Sequence, residues 1–419
     1  MGVWCRLGAL ATAVSGGFSN ITEFKNSGSG KNDPIGIDST LTKRSTCALT
    51  NFYTTGVAVK QVMHSDSGVV LARANAWLEK LGIGALITAT YSSNADTAYL
   101  HLTANERLHE CCPDLDTSTL SNAHALDDSM DIQQRIAIET LLAMTLSPEI
   151  LLFDHARELI SNIRMRLHAV NIASRTELSF DTSAIARPQA YWVYTKENGF
   201  LLRQGVSLAE GLERALCPDV SGYTYAFSCQ RASEYLMLYA VVSELRKVNK
   251  EALLATEAQW RKRALTGDDF LFRFLEERGT RDNPMPMRYY IPGDRIWFKN
   301  PDDHSSDIIG FEGSWVIYLG GGRFCNLWDR HRPYTLEEKC LEIYYWSQCV
   351  EVNSAGLACM NEVKVKEYVM QALADPGVKD TILKKMMVYR DPTGVYADGG
   401  CIDLSRDSFT SVRGPAASA

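Results

Sequence analysis

Tyr225-Ala226-Phe227-Ser228-Cys229-Gln230, running on from Arg231 to Lys247, is the stretch from which the fold is read. Apolar Tyr235, Leu238, Tyr239, Val242 and Leu245 recur at three- and four-residue intervals, which predicts one face of an amphipathic helix. No Pro or Gly interrupts Phe227 to Lys247, so there is room for about five helical turns. Ser228 is a suitable N-cap, which puts Cys229 in the first turn. Backbone N–H groups without helical partners and the positive end of the macrodipole favour a thiolate there. Such a cysteine suits nucleophilic catalysis. The alternative is a small buried hydrophobe, the ordinary fate of a free cysteine.

Outward from this helix the pattern is α+β. Upstream, Asp154 to Ala173 carries Leu159, Ile163, Leu167 and Val170 on one face. Tyr191 to Leu202 reads as two strands about Asn198-Gly199, a hairpin-forming dipeptide. Leu208 to Leu216 is a shorter helix capped by Ser207, and Leu253 to Glu277 reads as charged and helical. Arg295 to Lys299 alternates as a strand after Pro292-Gly293. Gly313 to Phe324 is an apolar strand, a triple-glycine turn and the start of another strand. Helices follow at Glu337 to Tyr344, Val363 to Leu373 and Lys379 to Met387, and the end beyond Arg390 reads as irregular. Nearer the N-terminus, Val70 to Leu81 and Asp127 to Met144 read as helices and Ala85 to Thr90 as a strand, with His64, His101, His109 and His124 as surface or core residues.

Composition narrows the function classes. The chain has 419 residues, 46% hydrophobic and 22% charged, enough for two or three domains with a sizeable core. A net charge of −7 provides no basic footprint for nucleic acid. Eleven cysteines without regular spacing, and no C-x-x-C pair, argue against a disulfide scaffold or zinc ribbon. Free thiols suit a cytoplasmic setting. Leu7 to Val14 is a short apolar run that leaves secretion as the weaker alternative, and no stretch is long and apolar enough to span a membrane. Gly17 to Lys43 reads as a loop or linker. The expected organisation is a flexible segment over 1–45, a helix-rich accessory region over 46–150, a catalytic domain over 151–350 and a C-terminal helical extension with an irregular tail over 351–419.

Five ordered blocks carry a family resemblance: ARELISNIRMRLHAVNIA (156–173), YW…NGFLL (191–202), YAFSCQRASEYLMLY (225–239), PGDRIWFKNP (292–301) and GSWVIYLGGGRF (313–324). They resemble the bacterial spore-coat protein-glutamine γ-glutamyltransferases, small papain-like transglutaminases. The resemblance implies a papain-like core, with the nucleophile helix packed on an antiparallel sheet. It implies that Cys229 attacks a glutamine carboxamide, releases ammonia and holds a thioester, which a lysine amine resolves to an isopeptide bond. Protein substrates bearing glutamine and lysine are the implied partners, with no metal or organic cofactor. The chain departs from the family at three places. Ser228 stands where an acid precedes the nucleophile, Ser314 where an acid precedes the apolar strand, and Leu327 where a histidine follows the turn. Nearby substitutes are Glu312, two residues before Ser314 and so on the same side of a strand, and His331, four residues after Leu327. His304 is the other downstream histidine, Cys325 reads as a packing residue, and Trp297 and Trp315 are candidates to line the cleft. Two further readings stay open: a cysteine hydrolase that uses water as acceptor, and a non-catalytic binding module of the same fold.

Overall fold

This computed structural model describes residues 54–61, 65–122, 130–180, 186–391 and 400–412. The expected N-terminal segment 1–45, with its Leu7 to Val14 run and Gly17 to Lys43 linker, and His64 and His124 lie outside the described residues, as does 413–419. The described residues divide into two units, one made of those within 54–111 and 130–161, the other of those within 112–122 and 162–412. In the first, Val57–Gln61, Ile87–Ser93, Ala98–Ala104 and Leu151–Phe153 (β1–β4) form a sheet of order β2-β3-β1-β4. β1 lies between antiparallel β3 and parallel β4, so Val57, Ala58 and Val59 are all buried. Helix Ser67–Lys80, capped by Asp66, buries Val70, Ala74, Trp77 and Leu78, the four positions of one helical face. The helix-rich region expected at 46–150 is therefore built on a sheet. Leu151–Phe153, expected in the catalytic domain, completes that sheet because a three-residue apolar strand cannot be buried alone.

In the second unit the predicted hairpin forms as Trp192–Thr195 and Gly199–Leu202 (β5, β6). Leu275–Arg278, Arg295–Lys299, Gly313–Gly320 and Arg323–Phe324 (β7–β10) join an antiparallel sheet, and Val350–Val352 and Ala358–Met360 (β11, β12) make a second hairpin. The segment expected to be an irregular tail instead supplies Arg406–Phe409 (β13), which lies inside the sheet order β10-β9-β8-β13-β7. Helices and sheets are thus mixed, and the five-stranded sheet is antiparallel throughout.

The Cys229–Val248 helix packs on β9 on one side and on helices Leu208–Leu216 and Lys250–Lys262 on others. Its burial is not a stripe: every residue from Ala232 to Val242 is buried. Positions that periodicity assigns to solvent are therefore covered, and their carboxylates are paired. Glu234 bonds Arg231 and the Gly267 N–H, and Glu244 receives Arg164 at 2.5 and 2.9 Å. Burial of each large apolar side chain contributes about 1.5–3 kcal/mol, which makes this helix the axis of the unit.

Two of the family-like blocks are joined by a buried ion pair. Arg166 in the first block donates to Asp294 Oδ1 at 2.8 Å, with both side chains almost fully buried. The same guanidinium reaches Asn162 Oδ1, the Pro292 carbonyl and Ser408 Oγ, while Asp294 accepts the Ile291 N–H. Next along the chain, buried Arg295 pairs with Asp407 on β13 and donates to Ser233 Oγ. Each charge in the Pro292-Gly293-Asp294-Arg295 turn is thereby neutralised.

Candidate active site

Three pieces of chain hold Cys229. The segment before it is fixed as a bridge to Ser179, whose N–H donates to the Tyr225 carbonyl at 3.0 Å and whose carbonyl accepts from Phe227 N–H at 3.1 Å. Ser228 is extended, with φ −81° and ψ 154°, and its hydroxyl accepts the Arg231 N–H at 3.3 Å. This is the N-cap expected from sequence, and it places Cys229 at the first helical position. The third piece is β9, where the backbone of Trp315, like that of Gln230, hydrogen-bonds the sulfur.

Burial pushes the Cys229 thiol above its ordinary pKa. The two backbone hydrogen bonds and the charge of Lys339 oppose that shift, whereas Glu312 reinforces it. The sulfur opens on a cavity of about 50 Å³ whose wall includes Phe180, Ser314, Trp328, Lys339, Glu342 and Trp346. Lys339 comes from helix Leu336–Trp346, which starts with a capping box of Thr335 and Glu338. Its side chain is 3% exposed, and its ammonium lies 2.5 Å from Glu342 Oε2, 3.5 Å from Ser314 Oγ and 3.6 Å from the Tyr334 ring centre. A cation, a carboxylate and a hydroxyl thus share the cavity wall with the thiol.

The other sequence candidates fall elsewhere. His331 is exposed in a turn, with its N–H on Asp329 Oδ1 and its ring beside Arg330, and is not among the residues lining the cavity. Asn326 pins that turn by accepting the Trp328 and Asp329 N–H groups and donating to the Arg332 carbonyl, while Leu327 is buried in the core. Glu312 is exposed and turns back to the Gly310 N–H at 3.1 Å, so it too stays off the wall. His304 is exposed on the single-turn helix Asp303–Ser306. Trp297 and Trp315 pack against each other with their rings tilted by 41°, whereas Trp328 and Trp346 line the cavity. Cys325 is fully buried, receives the Ile317 N–H on its sulfur and has its pKa raised to about 11 by burial.

Sequence reasoning missed Lys339 and Glu342. A signal was present: Leu336, Cys340 and Ile343 are buried on the same helix, so Lys339 falls within an apolar stripe where a solvated lysine does not belong.

A family model described as protein-glutamine gamma-glutamyltransferase matches residues 117–397, more than half of the chain and all of this cavity. The chain belongs to that family. Among curated members, the protein-glutamine gamma-glutamyltransferase of Halalkalibacterium halodurans is 25% identical over 195 residues, covering 45% of this chain and 63% of the relative. The shared region is therefore less than two thirds of that relative's length. Among solved structures, the transglutaminase from Geobacillus stearothermophilus, without its C-terminal extension, aligns with a TM-score of 0.35 and 19% identity. That alignment covers 51% of this chain and 97% of the other. Within the γ-glutamyltransferase family, this member carries Ser228 directly before its cysteine, with Ser314, Lys339 and Glu342 in the wall of the same cavity as the cysteine.

Proposed function

We propose that the chain transfers the γ-glutamyl group of protein-bound glutamine to a lysine amine through Cys229, on a papain-like core formed by the Cys229 helix and β9. The observation that carries this reading is the first-turn placement of Cys229, with backbone donors on the sulfur and the cavity beyond it. The thiolate attacks the carboxamide carbon, and the N–H of Cys229 is placed to stabilise the oxyanion. The C–N bond breaks, the thiol's proton leaves on ammonia, and the thioester remains. A lysine amine then displaces the sulfur, which regains a proton. Lys339 acts on this cycle by holding positive charge near the thiolate, and Glu342 keeps that ammonium in place. Water as the acceptor gives deamidation, and the narrow cavity with Trp328 and Trp346 in its wall favours the amine by limiting water entry.

Purified protein is incubated with a glutamine-containing protein and a fluorescent primary amine, beside Cys229→Ala. Label incorporated by the intact chain and absent from the variant is the expected result. Ammonia release without label turns the reading into deamidation. Absence of both, with Cys229 alkylated no faster than a free thiol, removes the enzyme reading.

A further inference from the structure

Beside Ser228 lies a second, larger cavity of about 500 Å³. Its wall brings together Arg187, the hairpin residues Tyr194, Glu197 and Phe200, the segment Ala226–Ser228, Arg231, Tyr235 and Arg263. Three guanidiniums thus face it against one carboxylate, and two of the three are neutralised: Arg231 by Glu234 and Arg263 by Asp269. Arg187 is different. It is 5% exposed and makes no ion pair among the described residues, and its Nε has no hydrogen-bond partner. Its Nη1 donates to the Ala186 and Ala226 carbonyls, at 2.6 and 2.8 Å, and Tyr235 is a further, neutral side-chain partner of the guanidinium.

Aromatic rings take the place of a counter-ion. The Arg187 guanidinium lies 3.2 Å from the Phe227 ring centre, 4.8 Å from that of Phe200 and 5.2 Å from that of Tyr235. Rings offset part of the desolvation cost but cancel no charge. A buried cation left without an anion is rare, because burial strips its water and no opposite charge repays that loss. The same guanidinium in the wall of an open cavity is a preformed anion receptor, with a planar fork suited to a carboxylate. A cationic ligand is excluded, since the aromatic cage already holds a cation.

We propose that this cavity is a carboxylate subsite that takes an aspartate or glutamate side chain close in sequence to the reactive glutamine of the donor protein. The assignment rests on the acyl-transfer reading of Cys229. Ser228 lines this cavity and Cys229 lines the catalytic one, so the two openings flank consecutive residues. A donor chain whose glutamine enters at Cys229 then lays a neighbouring residue over Arg187.

The test uses the full chain carrying Cys229→Ala, so that binding is read without turnover. Donor peptides contain one glutamine, with both ends blocked, and bear Asp or its Asn twin at each of the positions around it. At one position the Asp peptide is expected to bind at least about tenfold tighter than its twin, with a preference that shrinks as salt rises. Arg187→Gln, checked for an unchanged melting temperature, is expected to erase that preference. Should Arg187→Gln fail to fold, the Arg187 Nε–H resonance of the Cys229→Ala protein is expected to move with the Asp peptide and stay still with the Asn twin. Equal affinity of the twins at every position, a preference that survives Arg187→Gln, or a resonance indifferent to the acid overturns the proposal. Amine incorporation by the intact chain separates the two readings. Incorporation with no acid preference overturns the subsite alone. Acid-dependent binding with no incorporation overturns the acyl-transfer reading and leaves the carboxylate site supported.

Discussion

At the scale of single residues, Cys229 is a compromise between solvation and field. Burial raises its thiol pKa, and the charges and dipoles around it recover part of the thiolate: two backbone donors and Lys339 on one side, with Glu312 acting against them. Removing Lys339 withdraws the stabilising charge, so the thiol pKa rises further and reactivity moves to higher pH. Each unit of that rise lowers the thiolate fraction at neutral pH about tenfold. Lys339→Met is therefore expected to shift the pH profile of Cys229 alkylation upward and to cut amine incorporation by roughly 100-fold, the lower range for loss of one electrostatic stabiliser. An unshifted alkylation profile would remove Lys339 from the site. The same variant leaves Glu342 facing the cavity without its cation, so Lys339→Met with Glu342→Gln tests whether the pair acts as a unit.

At the scale of elements, the resembling blocks are held together by charges that no longer see water. Arg166 on the Ala156–Arg175 helix, Asp294 in the turn before β8 and Ser408 on β13 meet at one guanidinium. Arg166→Leu leaves Asp294 buried without its partner and is expected to cost about 3–5 kcal/mol, read as a lower urea midpoint. A loss below 1 kcal/mol would mean that Asp294 finds another donor. The start of β9 is equally constrained. A Cβ added at Gly313 would lie 2.3 Å from the Trp297 ring and 2.4 Å from the Phe298 carbonyl. Gly313→Ala must therefore displace β8 or the strand that carries Ser314 and Trp315. Loss of amine incorporation at a stability still sufficient for folding is the expected outcome, and full activity would show that the strands part without disturbing the site.

At the scale of the whole molecule, stability has a visible acid limit. His168 is buried beside Lys247 and Arg164, and burial together with those cations lowers its pKa from 6.5 to about 3. The unfolded chain takes up this proton near pH 6.5 while the folded chain refuses it until about pH 3. Its neutral form is therefore compatible with full stability above pH 6.5, and stability is lost as pH falls through that window. The slope is about 1.4 kcal/mol per pH unit. Urea unfolding at pH 7 and pH 5 is expected to differ by about 2 kcal/mol more in the native chain than in His168→Gln, which keeps an acceptor for Lys247 without the titration. Equal pH dependence in the two proteins would assign the acid limit to other groups.

Across these scales, what the sequence determined by itself was whatever short-range interactions decide. Ser228 as a cap, Cys229 at the first helical position, the Asn198-Gly199 hairpin and the paired strands around Gly320 to Gly322 all follow from spacing, capping and turn chemistry within a few residues. The family resemblance was legible for the same reason, because its blocks are local strings in a fixed order. Which elements cover one another was decided only in three dimensions. The Cys229 helix reads as amphipathic yet is buried around most of its girth, and the segment after Gly400 reads as loose yet becomes an inner strand. The site followed that rule. Proximity in sequence pointed to His331 and Glu312, whereas packing of a later helix put Lys339 and Glu342 in the wall of the cavity that Cys229 lines. Periodicity records that a side chain is buried, and only the neighbouring element, folded from distant sequence, determines what it is buried against.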